Sequence, residues 1–258
     1  MGAENPATAH MNELEELDMK SRKKHSGFTL VEVTIILLVL VTLAATLLPT
    51  IQTFVQRARM VRCREDVGAI GAAVSQFLVD VGEGCFLING NGGGSSVVFP
   101  PSRHSENRVN LLVSDGDIPD PGAGGDAVWL ATVNNRTVDF LERHLVTNNP
   151  GGRFEHRYRT PADMVQDSSS GYSIFARNNQ SGFNAEFAWR GAYLNSPIDS
   201  DPWGNRYAVN AMFLRSGSAN DVAVLSAGPD KAVSTAFAWD GLAPGGDDII
   251  YVISGNAS

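Results

Sequence analysis

The chain has 258 residues, of which 43% are hydrophobic and 8% are aromatic, a composition typical of a folded globular protein. Its formal net charge of -8 and isoelectric point of about 5.1 argue against nucleic acid as the main partner, because phosphate binding needs a basic face. The two cysteines, Cys63 and Cys85, form no CxxC or Cys/His metal pattern. We expect two unpaired thiols or a bond between chains, and no internal disulfide.

A long apolar segment near the N-terminus predicts a membrane span. Residues 28–48 carry one charged side chain, Glu32, and as a helix they would be about 30 Å long, the thickness of a hydrocarbon core. A removable secretory signal would be shorter and would end in small residues. The residues that favour a cytoplasmic N-terminus are Lys20, Arg22, Lys23 and Lys24. The residues that weaken this charge asymmetry on the other flank are Arg57, Arg59, Arg62 and Arg64.

Glu32 is unexpected in such a segment, since a carboxylate in hydrocarbon costs about 2.5 to 3.5 kcal/mol. The stretch that contains it, "SGFTLVEV" (26–33), resembles the processing signal of type IV pilins and type II secretion pseudopilins. In that family a membrane peptidase cleaves after the glycine, the new N-terminal Phe is methylated, and a glutamate is the fifth mature residue. Gly27, Phe28 and Glu32 occupy these positions, and Pro49 falls at mature position 22, where the family often has a helix-kinking proline.

The resemblance implies a role for the charge of Glu32. Cleavage after Gly27 would expose an α-amino group on Phe28, and in a staggered bundle this cation can meet Glu32 of a neighbouring subunit. A charge pair in a low-dielectric interface sets the register between helices. Glu32 and Pro49 are therefore predicted assembly residues. The implied partners are copies of the same chain, other pilins or pseudopilins, the prepilin peptidase and an inner-membrane assembly platform.

The sequence divides into a basic leader (1–27), a transmembrane and assembly helix (28–49), an amphipathic helix (50–82) and a globular pilin-like domain (83–258). Translation starts at Met1 or at Met19, because "MKSRKKHSG" alone resembles a short basic leader. The predicted fold class is α+β, with a long N-terminal helix packed on a C-terminal antiparallel sheet.

Hydrophobic spacing locates the main elements of the globular domain. The amphipathic helix has a stripe at three- and four-residue spacing, which comprises Ile70, Ala73, Val74, Phe77, Leu78 and Val81. We expect this helix to end near Gly82 to Gly84. A second helix is predicted over Ala127 to Val146 and is ended by "NNPGG" (148–152). Residues 86–196 are otherwise interpreted as an insertion that includes the glycine-rich stretch 89–96 and an aromatic strand or loop at 185–194.

Three β-rich segments predict an antiparallel sheet within 199–254: a strand beginning near Tyr207, "DVAVLSAG" (221–228) and "DIIYVIS" (248–254). "DPWGNRY" (201–207) resembles the motif that opens the sheet in the major pseudopilin. In that protein a later loop holds calcium, and "SAGPD" (226–230) and "GGDDI" (245–249) occupy the corresponding places.

Carboxylates and carbonyls in glycine-containing loops suit Ca²⁺, which prefers six to eight oxygen ligands. The predicted ligands are Asp230, Asp248, Asp247 and the Ala227 carbonyl. Solvated turn aspartates without metal are the alternative, and Lys231 departs from the family's glycine. Phe237 and Trp239 would anchor the longer loop that follows.

No enzymatic motif accompanies these features. His104, His144 and His156 form no HExxH motif, and the chain has no GxSxG elbow. The leading interpretation is a structural subunit of a type II secretion pseudopilus, anchored in the bacterial inner membrane with its C-terminal domain in the periplasm. The alternatives are a type IV pilin for adhesion, motility or DNA uptake, and a membrane-anchored binding protein.

Overall fold

The computed structural model describes residues 27–81, 86, 108–134, 137–152, 158, 189–214, 218–238 and 244–253. The chain forms two compact units, Met1–Phe54 and Val55–Ser258. The leader up to residue 26, the glycine-rich stretch 89–96, Cys85 and Trp239 lie outside the described residues.

Helix α1 extends over Leu30–Val81 and continues through Pro49. Its start is defined by Thr29, whose Oγ1 accepts a hydrogen bond from the Glu32 backbone N–H at 3.2 Å. In the first unit every described residue is exposed, including the apolar side chains from Leu30 to Phe54. Among the described residues, α1 is the one helix long and apolar enough to cross a membrane.

The part of α1 that belongs to the second unit has one buried face. Its fully or almost fully buried apolar side chains are Cys63, Val67, Ile70, Ala73, Val74 and Phe77. The predicted stripe is thus confirmed, with Leu78 and Val81 partly buried at its end. The opposite face is solvent-exposed and carries the charged and polar side chains of this part of α1, together with the exposed Val61 and Val79.

A five-stranded sheet forms the centre of the second unit, in the order β3-β1-β4-β5-β7. The bounds of its strands are β1 Leu111–Val113, β3 Val138–Phe140, β4 Ala208–Val209, β5 Val222–Ser226 and β7 Ile249–Ile253. The three predicted C-terminal strands pair antiparallel, with Val209 opposite Val224 and Val224 opposite Tyr251. Strands β2 (Asp120–Pro121) and β6 (Ala232–Val233) form a separate parallel pair.

The sheet differs from the prediction in two respects. It is mixed, because β1 and β3 pair in parallel, with Leu111 opposite Val138. It also draws two of its five strands from residues 86–196, which the sequence analysis treated as an insertion. These strands are only three residues long, too short to give a recognisable alternation of apolar and polar side chains.

The prediction of one continuous helix over Ala127–Val146 is wrong. The segment contains a 3-10 helix at Ala127–Leu130, strand β3, and the five-residue helix α2 at Leu141–Leu145. Asn134 interrupts the helical path, since its Oδ1 accepts hydrogen bonds from the backbone N–H groups of Thr137 (2.9 Å) and Val138 (3.2 Å). Such a side-chain turn competes with helix formation. Two further 3-10 turns lie at Pro150–Gly152 and Ala211–Phe213.

Loops complete the core with aromatic side chains. Phe77 of α1 stacks on Phe86 at 4.5 Å between ring centroids and meets the edge of Tyr158 at 4.9 Å. Phe237 packs on Trp129 at 4.9 Å, so the predicted anchoring of its loop by packing is confirmed for this residue. The described part of the aromatic segment 185–194, residues 189–194, is a loop.

Candidate functional site

The predicted processing and assembly residues, Gly27, Phe28, Glu32 and Pro49, all lie in the first unit and are exposed. Glu32 stands three residues after the N-cap Thr29, which is the spacing of a capping box. A carboxylate in the first turn also interacts favourably with the helix dipole. These interactions offset, within the chain, part of the free-energy cost of placing the Glu32 carboxylate in an apolar segment. Thr29 was not predicted as a functional residue, although the T-x-x-E spacing of a capping box is present in the sequence.

The "DPWGNRY" turn connects the sheet with its surroundings through two charged, buried side chains. Asp201 Oδ1 accepts the backbone N–H groups of Trp203 and Asn205 at 2.9 Å, and Asp201 Oδ2 accepts the Ser226 hydroxyl of β5 at 2.7 Å. Arg206 donates from Nη2 to the backbone carbonyls of Trp129 (2.7 Å) and Ala131 (2.9 Å). Burial lowers the pKa of Arg206.

The residue that ends the motif links the sheet to α1. Tyr207 is fully buried, and its hydroxyl donates to Asp66 Oδ2 of α1 at 2.8 Å. Burial raises the pKa of Tyr207, and the neighbouring Cys63 and Asp66 raise it further. The motif therefore has a structural function in this chain, in which Asp201 caps the turn.

A buried polar cluster joins β3, α2 and the loop after α2. Asp139 and His144 are both 0% exposed, and the Asp139 Oδ2 lies 3.0 Å from His144 Nε2. Asp139 also accepts hydrogen bonds from Arg143 Nη1 at 2.6 Å and from the Gly151 N–H at 2.6 Å. His144 Nδ1 lies 2.7 Å from the Tyr158 hydroxyl.

The order carboxylate, imidazole, hydroxyl resembles a catalytic relay, but all three side chains are within 1% of complete burial. A substrate cannot reach a hydroxyl in the core, so the cluster holds the fold together. Burial by itself raises the pKa of Asp139, but the hydrogen bond and charge of His144 and the N–H groups of Gly151 and Phe140 outweigh it. The net effect lowers the pKa of Asp139 to about 2. Sequence reasoning missed this cluster, since its members share no motif.

The predicted metal ligands lie on two loops, one after β5 and one before β7. The structure brings Asp230 and Asp247 together, with the Asp230 N–H donating to Asp247 Oδ2 at 3.2 Å. Burial raises the pKa of Asp247, and the adjacent Asp230 carboxylate raises it further. Gly228 has φ of 70° and lies against the Asp247 carbonyl, so no larger residue fits there.

The Asp248 carboxylate has other partners than the carboxylates of Asp230 and Asp247. Its Oδ2 accepts three hydrogen bonds, from the Ser234 N–H (3.0 Å) and from the Thr235 N–H (2.7 Å) and hydroxyl (2.6 Å). Burial raises the pKa of Asp248 in spite of these donors. Ala227 is fully buried at the end of β5.

The two loops meet some of the requirements of a binding site for a hard cation and lack others. Within the part of the chain that the structure describes, Asp247 Oδ1 and Asp248 Oδ1 are buried oxygens without a hydrogen-bond donor. Two facing carboxylates and buried acceptor oxygens are chemistry that Ca²⁺ can satisfy. The described residues nevertheless contain no group of three or more His, Cys, Asp or Glu side chains arranged to hold a metal ion.

Lys231 occupies the position at which the resembling family has glycine. Its φ of 63° lies in the left-handed region, where a side chain is strained. The backbone at Lys231 therefore has a conformation that glycine favours.

Comparison with known proteins identifies the class of protein that this fold represents. Residues 157–238 match the family model "Type II secretion system (T2SS), protein G", a range that includes "DPWGNRY" and the first of the two loops. Two curated proteins of Dichelobacter nodosus, each described as "Probable minor fimbrial protein", are 29% identical to the chain over 123 residues, or 46% of this chain and 77% of each relative. No solved structure matches the chain.

These findings confirm the resemblance to the type IV pilin and pseudopilin family. The chain is a pilin-like structural subunit and not an enzyme, with an α+β fold and one N-terminal apolar helix that fits a single-pass membrane anchor. Within that family, the matched model is that of protein G, the major pseudopilin of type II secretion. Proteins of this family polymerise with other pilin-like subunits, and the similarity implies the same kind of partner for this chain.

Proposed function

We propose that this chain is a structural subunit of the pseudopilus of a type II secretion system and supports protein export across the outer membrane. The observation that carries this proposal is the match of residues 157–238 to protein G of that system. The precursor would lie in the inner membrane with its C-terminal domain in the periplasm. The prepilin peptidase would cleave it after Gly27, Phe28 would be methylated, and the assembly platform would add it to a filament.

The exposed apolar part of α1 supports assembly. Side chains such as Leu30, Leu38 and Phe54 are 63–81% exposed in the isolated chain, so they need a bilayer or neighbouring subunits to cover them. A bilayer covers them before assembly, and the same segment of adjacent subunits covers them in the filament.

Glu32 would select the register of that packing. The capping interaction with Thr29 engages the Glu32 backbone N–H and leaves the carboxylate available for the Phe28 amine of a neighbour. A charge pair formed only at the right stagger favours one arrangement of otherwise uniform apolar helices.

Calcium is part of the proposal. Asp230 and Asp247 would supply its carboxylate ligands, with Asp248 Oδ1 and the Ala227 carbonyl as the further oxygens. Bound calcium would neutralise the repulsion between the two facing carboxylates and stabilise the loops that flank β5 and β7.

The test is to co-express the full chain with a prepilin peptidase and an assembly platform. We expect Glu32→Leu to be inserted in the membrane and cleaved after Gly27, as shown by the mass of the mature chain, and to form no filaments in electron microscopy. Glu32→Gln should also form no filaments, because it keeps the shape of the side chain and removes its charge.

Thr29→Ala is the matched control, since it removes the N-cap, worth about 0.5 to 2 kcal/mol, and keeps the carboxylate. It should still form filaments if the charge acts between subunits. A wild-type yield of filaments from Glu32→Leu would refute the assembly role.

The minor fimbrial relatives support a second candidate, a type IV pilin displayed at the cell surface. Deletion of the gene distinguishes the two functions. Loss of exported proteins from the medium with surface fibres intact would support the pseudopilin, and loss of surface fibres with normal export would support the pilin.

A further inference from the structure

Three arginines in α1 lie where the helix passes from the first unit to the second. Arg57, Arg59 and Arg64 are exposed, and we call them the arginine collar. None of them forms an ion pair with any residue that the structure describes, whereas the nearby Arg62 Nε lies 3.6 Å from Asp66 Oδ2. The collar therefore presents three guanidinium groups without a compensating carboxylate in the described part of the same chain.

The collar occupies two opposite sides of the helix. At about 100° per residue, Arg57 and Arg64 lie on one side of α1, and Arg59 lies roughly 200° around from Arg57. Partners that dock on one side of a helix favour a stripe of charges. Charges on opposite sides of a helix suit a partner that contacts both sides. A layer of lipid headgroups around the helix is such a partner.

The spacing of charges along the sequence places the collar at a membrane surface. Residues 33–56, between Glu32 and Arg57, include no charged side chain. In helical form these 24 residues are about 36 Å long, which exceeds a hydrocarbon core of about 30 Å and is less than the 40–45 Å of a whole bilayer. Arg57 can therefore reach the headgroup layer on one side while Glu32 stays at the opposite edge of the hydrocarbon core.

The order of charges after Arg57 agrees with this placement. The basic residues come first, and the acidic residues Glu65 and Asp66 follow on the side of the globular domain. The whole chain is acidic, with a net charge of -8, so its bulk is repelled by an anionic surface and only a local basic group can attract one.

We propose that the arginine collar binds the phosphate groups of anionic phospholipid at the membrane surface from which the globular domain emerges. Guanidinium groups form paired hydrogen bonds with phosphate oxygens, and flexible arginine side chains can reach the headgroup layer from more than one turn of the helix. This lipid contact would hold the subunit at a defined depth before assembly. The proposal depends on membrane anchoring alone and does not depend on the secretion role.

The test uses the full mature chain in nanodiscs that contain equal amounts of phosphatidylglycerol and phosphatidylcholine with the same acyl chains. Native mass spectrometry after release counts the two lipids that remain bound. We expect the ratio of retained phosphatidylglycerol to retained phosphatidylcholine to be roughly three or more for the wild-type chain. This ratio should be smaller at high salt. The combined variant Arg57→Gln, Arg59→Gln, Arg64→Gln should give a ratio near one.

Two further variants separate charge from folding. Arg57→Lys, Arg59→Lys, Arg64→Lys keeps the charge and should keep most of the preference. Arg190→Gln removes one exposed guanidinium from the globular domain and should leave the ratio unchanged, whereas Arg57→Gln alone should lower it. A wild-type ratio in the triple glutamine variant would overturn the proposal.

The same variants in the filament assay distinguish this proposal from the proposed function. A wild-type lipid ratio in the triple glutamine variant together with lost filaments would assign the collar to acidic side chains of a neighbouring subunit and would also overturn the lipid site. An intact lipid preference in a chain that never forms filaments would support the lipid site and contradict the proposed function.

Discussion

Asp139 is the residue on which the middle of the globular domain depends most. It is 0% exposed and accepts hydrogen bonds from Arg143, His144 and the Gly151 backbone, which come from α2 and the loop that follows. Tyr158 and Asn148 extend the same cluster, since the Asn148 side chain forms two hydrogen bonds with the Tyr158 backbone at 2.7 and 2.8 Å. One carboxylate thus fixes a region with little regular secondary structure.

We expect Asp139→Asn to lower the free energy of unfolding by about 3 kcal/mol, because it removes one partner of a buried charged network. The wild-type chain should also lose stability in acid. The Asp139 pKa is about 2 in the fold and 3.8 as its ordinary value. Its contribution is therefore complete above pH 3.8 and decreases as the pH falls towards 2, by about 2 kcal/mol in total.

Urea unfolding of the mature chain in detergent micelles, followed by tryptophan fluorescence between pH 2 and 5, measures both effects. The exposed Asp115→Asn is the control and should leave the acid profile unchanged. An Asp139→Asn variant with the wild-type acid profile would show that Asp139 does not cause the loss.

Among the structural elements, the docking of α1 on the sheet depends on Gly71, and Gly68 lies against the same ring. The Tyr251 ring of β7 lies over the helix backbone at Gly71, where a methyl group would overlap ring atoms Cδ1 and Cε1. At Gly68, one turn earlier, a methyl group would lie 3.9 Å from the nearest atoms of the same ring, which is ordinary van der Waals contact. These positions let an aromatic side chain approach the helix closely.

Gly71→Ala should therefore destabilise the second unit by about 1 to 3 kcal/mol through overpacking, despite the higher helix propensity of alanine. Gly68→Ala is the matched control in the same helix, and it should be neutral or stabilising by up to about 1 kcal/mol. Combining Gly71→Ala with Tyr251→Ala should remove the overlap. Equal stabilities of the two single alanine variants, in thermal or urea unfolding, would contradict this account.

In the molecule as a whole, two loops meet beside the end of β5 and the start of β7, and their facing residues Asp230 and Asp247 are 17 positions apart in the sequence. Asp230 and Asp247 are adjacent there, with the Asp230 N–H donating to Asp247 Oδ2, and burial together with the Asp230 carboxylate raises the pKa of Asp247. Saturating calcium should raise the melting temperature of the mature chain by roughly 5 to 10 °C, if it binds about a hundredfold above its dissociation constant. A chelator should reverse the rise.

The substitution Asp230→Asn should have opposite effects on the melting temperature of the calcium-free chain and of the calcium-bound chain. It should stabilise the calcium-free chain slightly, since it removes the repulsion with Asp247, and it should abolish the calcium-dependent rise. Asp115→Asn should preserve the rise. A melting temperature that is the same with calcium and with chelator would count against the site.

Features that depend on neighbouring residues could be predicted before the fold was known. The apolar segment, the buried stripe of α1 and the three C-terminal strands follow from composition and period, which are local properties. The processing motif around Gly27 rests on the resemblance to the pilin and pseudopilin family and stays a prediction. The metal ligands predicted on the two loops stay a prediction.

The pairing of distant segments could be seen in the folded chain alone. It placed the short strands β1 and β3 in parallel, replaced the helix expected over Ala127–Val146, joined Asp139 to His144 and Gly151, and set Tyr251 against Gly71. Each of these contacts joins residues whose local pattern is weak or whose partner is distant along the chain. Their stability comes from burial and hydrogen bonds that exist only after the sheet has formed, and no period in the sequence encodes them.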